Sequence, residues 1–180
     1  MDEELLIQRC QEGDQEAFRQ LFRRYRGMVY NVAFRTMGED AFVEDVVQEV
    51  FVNVYKSLPG YKARARFETW LYRVTVNVCL QRLRKKQVAT VPLDDVPVVD
   101  RAPAPDRAAE QREMEAAVQS ALLQLKPKHR MVVVLHDMEG LTEGEIGEIM
   151  RCPKGTVKSR LHYARGKLRE LLRERLDYLH

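Results

Sequence analysis

Apolar residues recur at helical spacing along most of the chain, and the places where that period breaks divide it into elements. Leu5, Leu6 and Ile7 predict a short first helix. Gly13 breaks it, and Asp14 can cap a longer helix carrying Phe18, Leu21, Phe22, Tyr25, Val29 and Val32. Met37-Gly38 ends that helix, and Glu39/Asp40 open the next, AFVEDVVQEVFVNVYKSL. On a helical wheel Val46, Val47, Val50, Phe51, Val54, Tyr55 and Leu58 share one half, while Asp45, Gln48, Glu49, Val52 and Lys56 share the other. Leu58-Pro59-Gly60 predicts a turn, and a loop then leads to Phe67 and the helix FETWLYRVTVNVCLQRLRKK. Glu68 and Thr69 stand in its first turn and Arg82 to Lys86 in its last, as the helix dipole favours. Leu71, Val74, Val78 and Trp70 can face a core, leaving Arg73, Asn77 and Gln81 along another edge.

Beyond Gln87 the period is lost. VATVPLDDVPVVDRAPAPDR holds four prolines and four Asp, which predicts an extended linker. From Ala108 the helical pattern resumes through Met114, Val118, Leu122 and Leu125, and Pro127 suits the first turn of a helix with Met131, Val132, Val134, Leu135 and Met138. Thr142-Glu143-Gly144-Glu145 is a capping box opening a short helix with Ile146, Ile149 and Met150. Arg151-Cys152 turns the chain, and Pro153 starts PKGTVKSRLHYARGKLRELLRERL. The expected fold is all-α: a helical domain over 1–87, an extended acidic linker over 88–107 and a second helical domain over 108–180.

With 45% apolar and 32% charged residues in 180, the composition is that of a soluble folded protein able to build a core. The longest unbroken apolar run, Met131 to Leu135, is too short for a membrane span, and Asp2, Glu3 and Glu4 stand where a targeting segment would be basic. A cytoplasmic protein with no membrane insertion is expected. Cys10, Cys79 and Cys152 form no metal or disulfide pattern and read as packing residues. His129, His136, His162 and His180 show no ligand or triad spacing, so no metal, cofactor or catalytic residue is expected, nor an enzyme. The net charge of +3 divides along the chain into +3 for residues 1–86, −3 for 87–113 and +3 for 114–180. Two basic ends therefore flank an acidic middle.

Charge and aromatics then single out three stretches. From Tyr61 to Lys86, eight Lys/Arg face one acid, Glu68, with Tyr61, Phe67, Trp70 and Tyr72 interleaved. That mixture suits holding a nucleic-acid strand by phosphate attraction and base stacking, although a half-buried helix with a solvated basic face has the same composition. Candidate contacts are Tyr61, Lys62, Arg64, Arg66, Phe67, Trp70, Arg73, Asn77, Arg82, Arg84 and Lys85. Asn77 can both donate to and accept from a base edge, and Arg82 to Lys86 supply phosphate affinity without sequence choice. The second stretch is the polar half of the preceding helix. Val52 among Asp45, Gln48 and Glu49 makes an apolar spot in an acidic patch, the pattern of a docking surface or of an ordinary solvated face. The third runs from Arg151 to Arg175, with nine Lys/Arg and two Glu. A short helix, a tight turn and a second, basic helix form a helix-turn-helix, whose second helix enters the major groove. Lys154, Thr156, Lys158, Ser159, Arg160, His162 and Arg165 are its candidate DNA contacts, while Val157, Leu161, Ala164 and Leu168 keep core spacing. A helical hairpin with a wet basic face is the plainer alternative. Twenty extended linker residues reach roughly 66 Å, enough to place the two ends on DNA sites one to two turns apart at about 34 Å per turn.

The order DVVQEVF, FETWLYRVTVN, a proline-rich linker, LTEGEIGEIM and GTVKSRLHYARGKLR resembles the extracytoplasmic-function (ECF) sigma factors, two-domain promoter-recognition subunits of bacterial RNA polymerase. The resemblance implies that Asp45, Gln48, Glu49 and Val52 dock on the basic β′ clamp helices of core polymerase, and that the β flap is a further contact. It places Pro59 to Phe67 and Asn77 on the non-template strand of the minus-10 element of promoter DNA, and the helix after Pro153 in the minus-35 element. It runs the linker through the polymerase active-site cleft and RNA-exit region, and it implies an anti-sigma partner. Gly147 stands where such proteins commonly have Ala, and Gln81 replaces a common Asp. A stand-alone helix-turn-helix regulator that binds duplex DNA without polymerase is the alternative. Opening four base-pair steps costs on the order of 6 kcal/mol at about 1.4 per step, and a captured base returns roughly 1 to 3 kcal/mol. Promoter opening by this chain alone is therefore expected to be weak or absent.

Overall fold

The computed structural model describes residues 2–38, 40–89 and 107–178, without side chains at 40, 41, 87–89, 107–110 and 174–178. Its elements follow the breaks in the apolar period: α1 (Glu3–Gln11), α2 (Gln15–Met37), α3 (Asp40–Ser57), a 3-10 turn (Leu58–Gly60), α4 (Phe67–Ala89), α5 (Arg107–Leu123), α6 (Pro127–Val133) continuing into a π turn (Val134–Met138), α7 (Glu143–Met150) and α8 (Lys154–Tyr178). No strand occurs among the described residues. The extended conformation expected of the linker lies outside them, since α4 runs to Ala89 and α5 begins at Arg107.

Helix boundaries form where backbone groups find local partners. Asp14 caps α2 by accepting from the N–H groups of Glu16 at 2.9 Å and Ala17 at 3.0 Å, and Arg9 braces the same carboxylate. These donors, Ala17 N–H first, hold the Asp14 carboxyl below its ordinary range. Gly38, at φ 79°, ends α2 by donating to the Phe34 carbonyl at 2.8 Å.

In the N-terminal region, Leu21, Val29 and Val32 of α2 meet Val43, Val46, Val50 and Val54 of α3 and Phe67, Leu71 and Val78 of α4. Tyr55 leaves the expected apolar half: it is 54% exposed, with its ring edge-on to Phe18. In the C-terminal region, Leu122, Met131 to Leu135, Ile146, Ile149, Val157, Leu161 and Ala164 are buried together.

The two regions pack directly on one another, α4 against α6 and α7, and α2 against α5. Polar links also cross between them. Tyr72 donates to Glu139 at 3.0 Å, the Gln119 side-chain amide donates to the Phe34 carbonyl at 3.0 Å, and the Arg130 guanidinium donates to the Thr36 carbonyl. Arg130 also donates to the carbonyls of Leu122 at 2.9 Å, Leu123 at 2.6 Å and Leu125 at 3.0 Å, which satisfies the C-terminal end of α5. Burial lowers the Arg130 pKa to about 10, so the group is charged at neutral pH. A Cβ at Gly38 would stand 2.4 Å from Leu123 Cδ1, and its φ of 79° strains any side-chain-bearing residue, so glycine suits the point where the α2 terminus meets α5.

Candidate nucleic-acid interface

The aromatic loop is held from below and within. Gln11 of α1 donates to the carbonyls of Leu58 at 3.0 Å and Tyr61 at 2.8 Å, and the Tyr61 hydroxyl donates to the Ala65 carbonyl at 2.7 Å. Ala63 takes a left-handed conformation, φ 50°, to close the turn. Phe67 packs against Tyr25, Tyr61 and Trp70 with ring centroids 5.2 to 5.7 Å apart. At 2% exposure Phe67 is part of the core, so it positions the loop and offers no face to a strand, unlike its place among the expected contacts.

Around that anchor the structure gathers Tyr61, Lys62, Arg64, Trp70 and Arg73, with Gly60 and Ala65, into one cleft of about 310 Å³. Arg73 lines this cleft, and its Nε is buried without a hydrogen-bond partner among the described residues. Arg66 is exposed and 3.4 Å from Glu68. Asn77 is exposed one turn along α4 from Arg73, and Gln81 one turn further.

Arg82 does not share this face. Its guanidinium turns across to α3 and binds the Glu49 carboxylate at 2.6 Å. Arg84 and Lys85 are exposed at the end of α4, where Arg84 borders a different groove with Lys126, Lys128, His129 and Arg160. On α3, Asp45 and Gln48 are exposed, Val52 is 49% exposed, and Glu49 is half-buried by its pair with Arg82. The acidic patch thus stands open with one carboxylate engaged by the chain's own α4.

The helix-turn-helix is built by local chemistry. Thr142 N–H donates to Glu145 at 2.8 Å and Glu145 N–H to the Thr142 hydroxyl at 3.3 Å, and the Thr142 N–H holds the Glu145 carboxyl low. Arg151 takes φ 52° in the turn, and Cys152 N–H donates to the Gly147 carbonyl at 2.9 Å. A Cβ on residue 147 would stand 2.9 Å from the Cys152 carbonyl oxygen, which explains why glycine replaces the alanine expected here. Val157, Leu161 and Ala164 fix α8 to α6 and α7 and leave Lys154, Lys158, Ser159, His162 and Arg165 exposed. Thr156 is half-buried, and half-buried Arg160 points at Cys152 Sγ, 3.7 Å away. Arg165 is bound by Asp137 at 3.0 Å, and that pairing holds the Asp137 carboxyl low.

Two residues of these surfaces escaped the reading of the sequence. Tyr163 is 56% exposed on α8, its ring 4.8 Å from and tilted 48° to that of His129 of α6, a residue 34 positions earlier. Its place outside the Val157, Leu161, Ala164 stripe was the available signal. Phe42 is 49% exposed near the start of α3, beside Lys86 of α4.

An acidic patch on α3, a basic aromatic cleft and a helix-turn-helix, all on helices among the described residues, point to a class: a DNA-binding transcription factor of two regions. The Sigma-70 region 2 family matches residues 21–88, and the Sigma-70, region 4 family matches residues 115–168. The ECF RNA polymerase sigma factor SigW of Bacillus subtilis is 33% identical over 178 residues, covering 93% of this chain and 95% of that protein. The ECF RNA polymerase sigma factor SigM of Mycobacterium tuberculosis is 37% identical over 162 residues, covering 89% and 79%. Among solved structures, CnrH in complex with the cytosolic domain of CnrY is similar with a TM-score of 0.69 and 27% identity, over 94% of this chain and 96% of that one. The fold is also that of the sigma factor RpoE in its complex with the anti-sigma factor NepR from Bartonella quintana, with a TM-score of 0.67 and 20% identity, over 87% and 96%. The chain belongs to the ECF sigma factors of the sigma-70 family, promoter-recognition subunits that bind bacterial RNA polymerase. The stand-alone regulator is the less favoured reading.

Proposed function

We propose that Asp45, Gln48, Glu49 and Val52 dock on the β′ clamp helices, that the cleft around Trp70 and Arg73 captures a base of the non-template minus-10 strand, and that α8 reads the minus-35 element. The observation carrying strand capture is the cleft itself, where Tyr61 and Trp70 converge with the cations Lys62, Arg64 and Arg73. Asn77 extends this surface along α4. The polymerase performs the chemistry, so this chain is not an enzyme, and it works in the cytoplasm with the polymerase.

The names of the two promoter elements put them about 25 base pairs apart, about 85 Å at 3.4 Å per pair. With α4 packed on α7 the two regions form one body, and a compact chain of this length has a radius of gyration of about 16 Å, too small for its surfaces to span that distance. Promoter binding therefore separates the regions, and the packed arrangement is the form of the chain before it joins polymerase. CnrH and RpoE form complexes with CnrY and NepR, which supports an anti-sigma partner for this chain as well.

Run-off transcription with purified core polymerase on a genomic template tests the function. Initiation is expected only when core and this chain are both present, and no initiation at any promoter defeats the proposal. Arg73→Met should weaken capture of a single-stranded minus-10 oligonucleotide by the holoenzyme about tenfold, within the roughly 1 to 3 kcal/mol worth of one held base. Unchanged capture would remove the cleft from the mechanism.

A further inference from the structure

The aromatic loop is fastened to a helix that belongs to none of the three surfaces. Gln11 is the last residue of α1, and its side-chain amide donates to two carbonyls, Leu58 at 3.0 Å and Tyr61 at 2.8 Å. One amide nitrogen thus ties the first residue of the 3-10 turn to the residue just past its end. Gln11 itself has little freedom, because Leu6, Ile7 and Cys10 bury α1 against α2. The break between those helices is closed on both sides: Asp14 N–H donates to the Arg9 carbonyl at 3.0 Å, and Arg9 Nε donates to the Asp14 carboxylate at 2.9 Å.

Beyond Tyr61 the loop holds a conformation that its surroundings must enforce. Ala63, at φ 50°, is in a region that costs a residue with a side chain and persists only where neighbours fix it. The Tyr61 hydroxyl, bonded to the Ala65 carbonyl at 2.7 Å, brackets that turn, so the position of Tyr61 decides where Ala63 to Ala65 run. Tyr61 is also a wall of the cleft that holds Lys62, Arg64, Trp70 and Arg73. Behind the loop, Asp2, Glu3 and Glu4 of the N-terminal end border a second cleft of about 650 Å³, which Gln11 lines as well. Their charge repels phosphates from that side, so Gln11 acts from behind the loop without touching a strand.

We infer that Gln11 is a positioning residue for minus-10 recognition, holding Leu58 and Tyr61 so that the cleft keeps the shape in which a base is chosen. The inference rests on the proposal that this cleft captures a minus-10 base. Selectivity depends on Gln11 more than affinity does. Attraction between phosphates and Lys62, Arg64 or Arg73 tolerates a shifted backbone, whereas base choice depends on close fit.

Holoenzyme assembled from core polymerase and the full-length chain tests this with a single-stranded DNA pool randomised over the minus-10 element, the bound fraction being sequenced. The parent should enrich a base preference. Gln11→Met keeps the side-chain length but donates nothing, and should reduce that enrichment about fivefold. Its affinity for the unselected pool, by fluorescence anisotropy, should stay within about twofold of the parent. Gln11→Lys restores a donor at similar reach and should recover most of the preference, and minus-35 duplex affinity should be the same in all three. An unaltered preference in Gln11→Met, with capture still lost in Arg73→Met, would overturn the inference and leave the cleft standing. A parent that enriches nothing, or Arg73→Met without effect, would sink strand capture and this inference together. Equal losses at both promoter elements with a lower thermal midpoint would make Gln11 a general stabiliser, and a folded Gln11→Lys that stays unselective would refute the donor role; either result defeats the inference.

Discussion

Replacing Arg130 by leucine should cost this protein a large part of its stability, although the residue lies outside the proposed DNA and polymerase contacts. Arg130 is 6% exposed, and its guanidinium serves four backbone carbonyls, those of Leu122, Leu123, Leu125 and Thr36. A hydrogen bond from a charged donor contributes about 1.5 to 3 kcal/mol, so four give roughly 6 kcal/mol at the lower bound. Against this stands the cost of burying the charge, visible in the fall of its pKa from 12.5 to about 10. That fall corresponds to about 3 kcal/mol at 1.36 per unit, which the substitution returns. The net loss for Arg130→Leu is on the order of 3 kcal/mol, against a total stability of about 5 to 15 kcal/mol for an ordinary domain. With a urea slope of about 2 kcal/mol/M, the unfolding midpoint by circular dichroism should fall by about 1.5 M. Arg130→Lys keeps the charge but gathers its donors on one nitrogen, so it should recover no more than about half of the loss. A midpoint for Arg130→Leu within about 0.3 M of the parent would refute the reasoning, because four buried carbonyls would then have lost their donor at no cost.

The packing between regions should depend on pH through Glu139. Burial raises its carboxyl above the ordinary 4.5, while Tyr72 and Arg35 pull it down and Glu68 pushes it up. A raised carboxyl favours the packed form when protonated, so this stabilisation is complete below 4.5 and is lost as pH rises through the higher packed-state value. Glu139→Gln should therefore raise the thermal midpoint at pH 7 and flatten its slope between pH 4.5 and neutrality; a midpoint that falls at pH 7 contradicts this. In minus-35 duplex binding by holoenzyme, Lys158→Ala should lower the salt slope by about 1, and Arg165→Ala by less because Asp137 already neutralises it. Equal slopes for the two variants would argue against that pairing in the bound state. Gly144→Ala should raise stability by up to about 1 kcal/mol through helix propensity, since nothing lies nearer its Cβ than Thr142 Oγ1 at 3.9 Å. Gly147→Ala should lose at least about 1 kcal/mol to its backbone clash after the same gain, and thermal melts moving in one direction for both would defeat the contrast.

Much of this protein is legible in its sequence because the information is local. Helix periods, the Asp14 cap, the Gly38 stop and the Thr142–Glu145 box depend on residues a few positions apart. So does the helix-turn-helix, whose core stripe and exposed cations separate by wheel position alone. The cleft residues Tyr61, Lys62, Arg64, Trp70 and Arg73 could be nominated from composition, since a loop and the first turns of its helix stay together in space. What sequence spacing could not decide was where long side chains go once helices meet. Arg82 chose Glu49, 33 residues away, over the side of α4 that bears Arg73 and Asn77, and Phe67 entered the core, where its ring packs on Tyr25 of α2. Arg130, a plain basic residue in sequence, became the donor to two helix ends because α2 and α5 converge on it. Partners at such separations are set by the arrangement of whole helices, and the direct packing of the two regions is likewise a property of the tertiary structure alone.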